Sequence, residues 1–193
     1  SSYLEEMNQF IEEYSEANVY GCAFDNIVDG KSLKRNFYLP ENYKGYISNY
    51  FQHAHNSLLF SSTSTIVSKS AILDVGGFDE RINFGEDIDL WIRLAYRNKV
   101  AFYNKIFAHY NYDSQNRAMN KKHDFKRNYL YYTDKFKTWE NENNEFRLFI
   151  NKNRISHLVE ILKNYSHENN DVKKYMSLID YEGQEFRYLL FSK

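Results

Sequence analysis

The stretch Gly76-Gly77-Phe78-Asp79-Glu80-Arg81-Ile82-Asn83-Phe84-Gly85-Glu86-Asp87-Ile88-Asp89-Leu90-Trp91-Ile92-Arg93-Leu94-Ala95 limits what this chain can fold into more than any other. It holds three of the seven glycines, and a cluster of carboxylates at Asp79, Glu80, Glu86, Asp87 and Asp89. A helix is expected to begin at or just after Gly85. Glu86, Asp87 and Asp89 then fall in its first turn, where they complement the positive end of the helix dipole. At about 100° per residue, Ile88, Leu90, Trp91, Ile92, Leu94 and Ala95 form one apolar arc. Glu86, Asp89, Arg93 and Arg97 lie opposite, with Asp89 and Arg93 an acid-first i,i+4 pair. Asp87 breaks the pattern by falling inside the arc. An inward carboxylate is costly unless it is paired or lines a polar cleft. Two readings stay open: a capping acid bonded to backbone N–H groups, or a functional acid.

Gly-Gly-Phe-Asp-Glu, a short spacer, then Gly-Glu-Asp-x-Asp-Leu-Trp-x-Arg-Leu-Ala resembles the distal signature of family 2 glycosyltransferases with the GT-A fold. The resemblance covers residues 1 to about 117. It implies an α/β fold: part of a GT-A, Rossmann-like core (1–117), followed by a helical C-terminal region (118–193). It further implies that Asp87 is the catalytic base for an acceptor hydroxyl, with Glu86, Trp91 and Asp89 on the acceptor side. In this family an Asp-x-Asp holds a divalent metal, Mg or Mn, on the sugar-nucleotide diphosphate. No such motif ends a strand here. Asp25-Asn26 follows a different strand, and Asp87-Ile88-Asp89 opens a helix. The resemblance therefore places the nucleotide-binding half, and most metal ligands, ahead of Ser1.

With 193 residues the chain is long enough for a real core. A net charge of −1 gives no reason to expect nucleic acid as a partner. The single cysteine, Cys22, excludes an intramolecular disulfide and reads as a buried strand residue. No apolar run approaches the ~18–20 residues that span a bilayer. The expected location is cytoplasmic, with peripheral contact on the inner membrane face.

Taken in order, residues 1–14 read as an amphipathic helix with Leu4, Met7, Ile11 and Tyr14 on one face. Ala17–Phe24 reads as a buried strand, Asp29-Gly30 as a turn, and Ser32–Leu39 as a second strand. Residues 40–52 read as a loop and then a helix. His53 and His55 follow in a loop, a metal pair only if acids or cysteines lie nearby, and the local sequence has none. Ser61–Thr65 leads into a strand at Ile66-Val67. Ser68 caps a helix over 69–75 that Gly76 ends, and Phe78 follows as an anchor. Val100–Tyr103 and Ile106–Tyr110 read as two short strands.

By resemblance, the segment after Tyr110 is a mobile loop over the donor diphosphate. Ser114, Asn116 and Arg117 are its phosphate-contact candidates. His109 is a candidate third metal ligand in the family and otherwise a sheet-edge histidine. Beyond Ala118 the chain reads as helices at 140–150, 154–165 and 172–179. Before them, Phe125, Tyr129, Leu130, Tyr132 and Phe136 form one aromatic face among lysines. That face suits either a helical bundle or an anionic membrane surface.

Together these readings describe the acceptor half of an inverting glycosyltransferase. Its partners are a nucleotide sugar and a glycan or lipid-linked acceptor, and assembly as a homo-oligomer is compatible with them. The alternatives are a non-catalytic acceptor-binding or assembly module, and a metal-dependent hydrolase built on Glu86, Asp87 and Asp89. Helical phase opposes the hydrolase, because Asp87 and Asp89 point about 160° apart.

Overall fold

A computed structural model describes residues 2–114 and 124–180. The chain divides into two compact units: residues 1–79 with 86–122, and residues 80–85 with 123–193.

The first unit is mixed α/β. Helix α1 (Tyr3–Glu13) starts on a capping box, in which Ser2 and Glu5 satisfy each other's backbone N–H. Its buried stripe is Met7 and Phe10, with Tyr3, Ile11 and Tyr14 packed alongside. Leu4, expected on that face, is 71% exposed. The stripe packs on Tyr20, Cys22 and Ala101 of the sheet. Burial pushes the Cys22 thiol up to about 12, so it is an inert core group.

Strand β1 (Val19–Val28) runs four residues past the expected end at Phe24. It turns through Asp29 (φ 50°) and Gly30 (φ 69°) into β2 (Lys31–Leu33). β2 is only 3 residues long and exposed, much shorter than the strand expected through Leu39. Residues 40–52 also differ from expectation, because Lys44–Ile47 forms strand β3. Helix α2 (Tyr50–Asn56) then carries both His53 and His55. Two residues apart on a helix, their side chains diverge and do not form a chelating pair. β4 (Thr65–Val67) and α3 (Lys69–Asp74), capped by Ser68, fall where expected.

Helix α4 is Glu86–Arg97, and Leu90, Trp91, Ile92 and Leu94 are buried. The two strands expected after it are one, β5 (Val100–Asn111). Its length comes from parallel pairing with β1, whose ladder runs from Val19↔Val100 to Ile27↔Asn111 with register shifts beside Ala23. The sheet order is β2-β1-β5-β3, with β4 also on β1. The β2, β3 and β4 pairings are antiparallel, so the sheet is mixed.

In the second unit, the segment from Phe125 to Phe136 is 3-10 rather than α-helical. Phe125, Tyr129, Leu130 and Phe136 are all buried. The aromatic face read from the sequence is therefore largely core. Helices α5 (Lys137–Glu142), α6 (Asn144–Leu162) and α7 (Asn170–Met176) follow. The helix break expected near Asn151 is absent. Asn151 is buried; its amide donates to Arg147 O at 3.0 Å, and its Oδ1 accepts from Arg154 at 3.0 Å. Its polar atoms thus find partners without leaving the helix. Arg154, fully buried, forks onto Glu140 at 2.8 and 2.9 Å and donates to Thr133 Oγ1 at 2.8 Å.

Among the described residues, no helix is long and apolar enough to cross a membrane.

Candidate functional site

The acid-rich end of α4 and the hydroxyl-rich loop before β4 meet at one carboxylate. Asp87 is half-buried. Its Oδ1 accepts from the Ile88 N–H at 2.8 Å, and its Oδ2 accepts from the Ser62 hydroxyl at 2.9 Å. The first bond is a capping contact and the second a side-chain clamp, so features of both readings coexist. A carboxylate offers about four acceptor positions. Two bonds leave each oxygen able to take another donor. Ser61 and Thr63 flank Ser62 and share a hydrogen bond of 2.8 Å. Ser61 O accepts from Thr65 Oγ1 at 2.8 Å, which ties the loop to β4.

Trp91 lies one turn further along α4. It is 9% exposed and packs edge-on against Phe60, with centroids 5.9 Å apart. Its indole Nε1 is buried without a hydrogen-bond partner among the described residues. A buried indole N–H usually finds an acceptor. Glu86 is exposed at the helix start.

Asp89 departs from its expected place. It is 0% exposed rather than on the solvent side. Arg93 Nε donates to Asp89 Oδ2 at 2.8 Å, and its other nitrogens reach Val75 O at 2.6 Å and Gly77 O at 2.7 Å. The loop leaving α3 covers that side of α4, and the ion pair holds it there. Gly76 (φ 81°) and Gly77 (φ 66°) supply the left-handed turns that present those carbonyls. Phe78, expected as the anchor, is 55% exposed; Arg93 does the anchoring.

A second constellation joins β1, β2 and β5. Asp25, 2% exposed, takes His109 Nδ1 on one oxygen and the Ser32 hydroxyl on the other. Asp25 and His109 are cross-strand partners in the parallel ladder. Burial raises the Asp25 pKa, but the bonds from Ser32 and His109 outweigh it and hold the carboxyl below its usual value. Asp113 closes the nearby turn by accepting from Asp29 N at 2.8 Å and Gly30 N at 2.9 Å. The sequence reading weighed Asp25 only as a stand-in for the Asp-x-Asp motif, missed its pairing, and overlooked Asp113. For Asp25 the available signal was a carboxylate directly after the apolar or small run Val19–Phe24 of β1.

His109, the candidate metal ligand, bonds Asp25 through Nδ1, a contact that does not engage Nε2, and its side chain is 61% exposed. Among the described residues, no group of three or more His, Cys, Asp or Glu is arranged to hold a cation. Ser114 is exposed just past β5, whereas Asn116 and Arg117 lie outside the described residues.

Comparison with known proteins returned no match. No family model, curated protein or solved structure is significantly similar to this chain.

Proposed function

We propose that this chain supplies the acceptor side of a GT-A-type inverting glycosyl transfer, with Asp87 as the base. The observation that supports the reading is the Asp87–Ser62 contact. A hydroxyl already sits 2.9 Å from a half-buried carboxylate at the start of a helix, and an acceptor sugar hydroxyl would bind in the same way.

In the proposed step the acceptor oxygen forms a bond to the anomeric carbon. The bond from that carbon to the diphosphate oxygen breaks, and the electron pair leaves with the diphosphate. The acceptor proton passes to Asp87. The positive end of α4 favours the ionised carboxylate before transfer. Glu86 takes a second acceptor hydroxyl, and Trp91, buried against Phe60, seats the helix that presents Asp87. The donor nucleotide, whose diphosphate is the leaving group, and any metal on it would be held by residues outside this chain.

The test is sugar transfer from nucleotide sugars by the complete gene product, comparing wild type with Asp87→Asn. A fall in turnover of at least about a hundredfold, with the melting temperature unchanged, supports a base. Turnover surviving within a few-fold assigns Asp87 to helix capping. Undiminished binding of an acceptor glycan with no transfer at all would favour the non-catalytic binding module.

A further inference from the structure

Arg35 stands in the loop between β2 and β3. Its Nε donates to Ser57 Oγ at 3.2 Å, and its Nη2 reaches Leu58 O at 3.4 Å. The guanidinium lies over Phe24 at 4.9 Å and Phe37 at 5.6 Å. These contacts fix its plane. No carboxylate among the described residues pairs with it, and Nη1 has no acceptor among them. Arg35 is half-buried, and that burial lowers its pKa from the ordinary value against a smaller opposing effect of Tyr112.

Arg35 opens onto a cavity of about 510 Å³ walled by Ala23, Phe37 and Ile106 on its apolar side and by Asn36 and Asn42 on its polar side. The other charges at the cavity are neutralised. Lys34 pairs with Glu41 at 3.2 Å, and Lys105 with Glu6 at 2.6 Å. Arg35 therefore sets the sign of the cavity. Asn104 donates to Leu39 O at 3.1 Å and Pro40 O at 2.8 Å, which holds the loop in place as a wall. The Asn36 carbonyl is taken by Tyr38 N at 2.8 Å, so its NH₂ remains the group to offer a ligand.

The geometry points to a binding site for a small organic phosphate of the sugar-phosphate class, its phosphate on Arg35 and its hydroxyls on Asn36 and Asn42. The volume lies in the range of small-molecule sites, ~300–1,000 Å³, and far exceeds a bare phosphate. With the Nε edge of Arg35 engaged, an anion meets its Nη1 end, where Asn36 and Asn42 also line the cavity and can bond the oxygens a phosphate carries beyond a carboxylate's two. A phosphate can take one bond from Nη1 and others from the amides. The site shares no residue with the Asp87 cluster and stands whether or not Asp87 transfers a sugar.

Titration calorimetry on the 193-residue chain tests this with glucose 1-phosphate, inorganic phosphate, glucose and glucuronate. Glucose 1-phosphate is expected to bind tightest and glucose not measurably. Arg35→Gln should weaken binding by roughly tenfold or more. Asn42→Asp, an exposed change that puts a negative charge at the mouth, should weaken it by about threefold or more. Asn42→Asp decides the matter alone if Arg35→Gln fails to fold. Absence of glucose 1-phosphate binding at millimolar concentration overturns the assignment. So does tighter binding of inorganic phosphate or glucuronate, or equal affinity in the folded variants.

Discussion

Arg93 and Asp89 form an ion pair with both partners on α4, yet its main product is the position of another segment. Through Val75 O and Gly77 O, 18 and 16 residues away in sequence, Arg93 ties the turn after α3 to the helix. The Asp89 side chain is 0% exposed and that of Arg93 12%. Arg93→Ala leaves a buried carboxylate without its partner and should cost about 3–5 kcal/mol. Arg93→Lys should recover little, since an ammonium lacks the planar fork that reaches a carboxylate and two carbonyls together. Urea unfolding measures both, and a loss under about 1 kcal/mol for Arg93→Ala would show that the brace is dispensable.

Ser62 should act as a positioning residue for Asp87. Removing its hydroxyl forfeits a bond of about 0.5–1.5 kcal/mol, a factor of roughly 2–13 in rate. Ser62→Ala is expected to lower turnover in that range with KM little changed, and Ser62→Thr to restore it. An effect confined to KM would instead place Ser62 in acceptor binding.

His157 makes stability depend on pH. Burial pushes its pKa down to about 4, and it packs edge-on against Tyr175 with centroids 5.5 Å apart. The unfolded chain holds this proton up to its ordinary pKa of about 6.5, whereas the folded chain refuses it until about 4. Between those values the unfolded state binds more protons, so stability falls as pH falls through that window. The loss should be on the order of 3 kcal/mol, and His157→Phe should remove most of that dependence. Melting curves from pH 7 to pH 4 on both proteins read it directly.

Gly85 should not tolerate alanine. Its φ is 76°, and an added Cβ would run into the Tyr129 ring. Left-handed backbone costs about 1–2 kcal/mol and the clash a further 1–3. Gly76→Ala is the control, because its φ is 81° and a Cβ there meets nothing within 4 Å. The Gly85 variant should melt distinctly lower than the Gly76 one. Tyr129→Ala in the Gly85→Ala background should give a smaller combined loss than the sum of the two single changes.

Helices α1, α3 and α4 were legible because their signals are local. The apolar face of α1, the Ser68 cap of α3 and the acids after Gly85 each show within a few neighbouring residues. The Asp29-Gly30 turn is local for the same reason. β3 was not legible. Lys44–Ile47 has too short a pattern to declare itself, and it is a strand because the edge of β5 offers it hydrogen bonds. The single long β5 likewise depends on β1 as its template.

The candidate sites divide in the same way. The sequence by itself determined that α4 begins at a cluster of acids and buries Leu90, Trp91 and Leu94, since helix period and dipole need only neighbouring residues. It did not determine which acid turns inward. Asp89 is buried because the loop over it brings two carbonyls to Arg93, and Asp87 is clamped because Ser62 arrives from 25 residues away. Asp25 meets His109 across 84 residues only through the strand register. The cavity at Arg35 likewise closes only when Asn104, far along the chain, takes hold of the loop beside it. Such pairings follow from which surfaces the whole chain can bury together, and no local window of sequence carries that information.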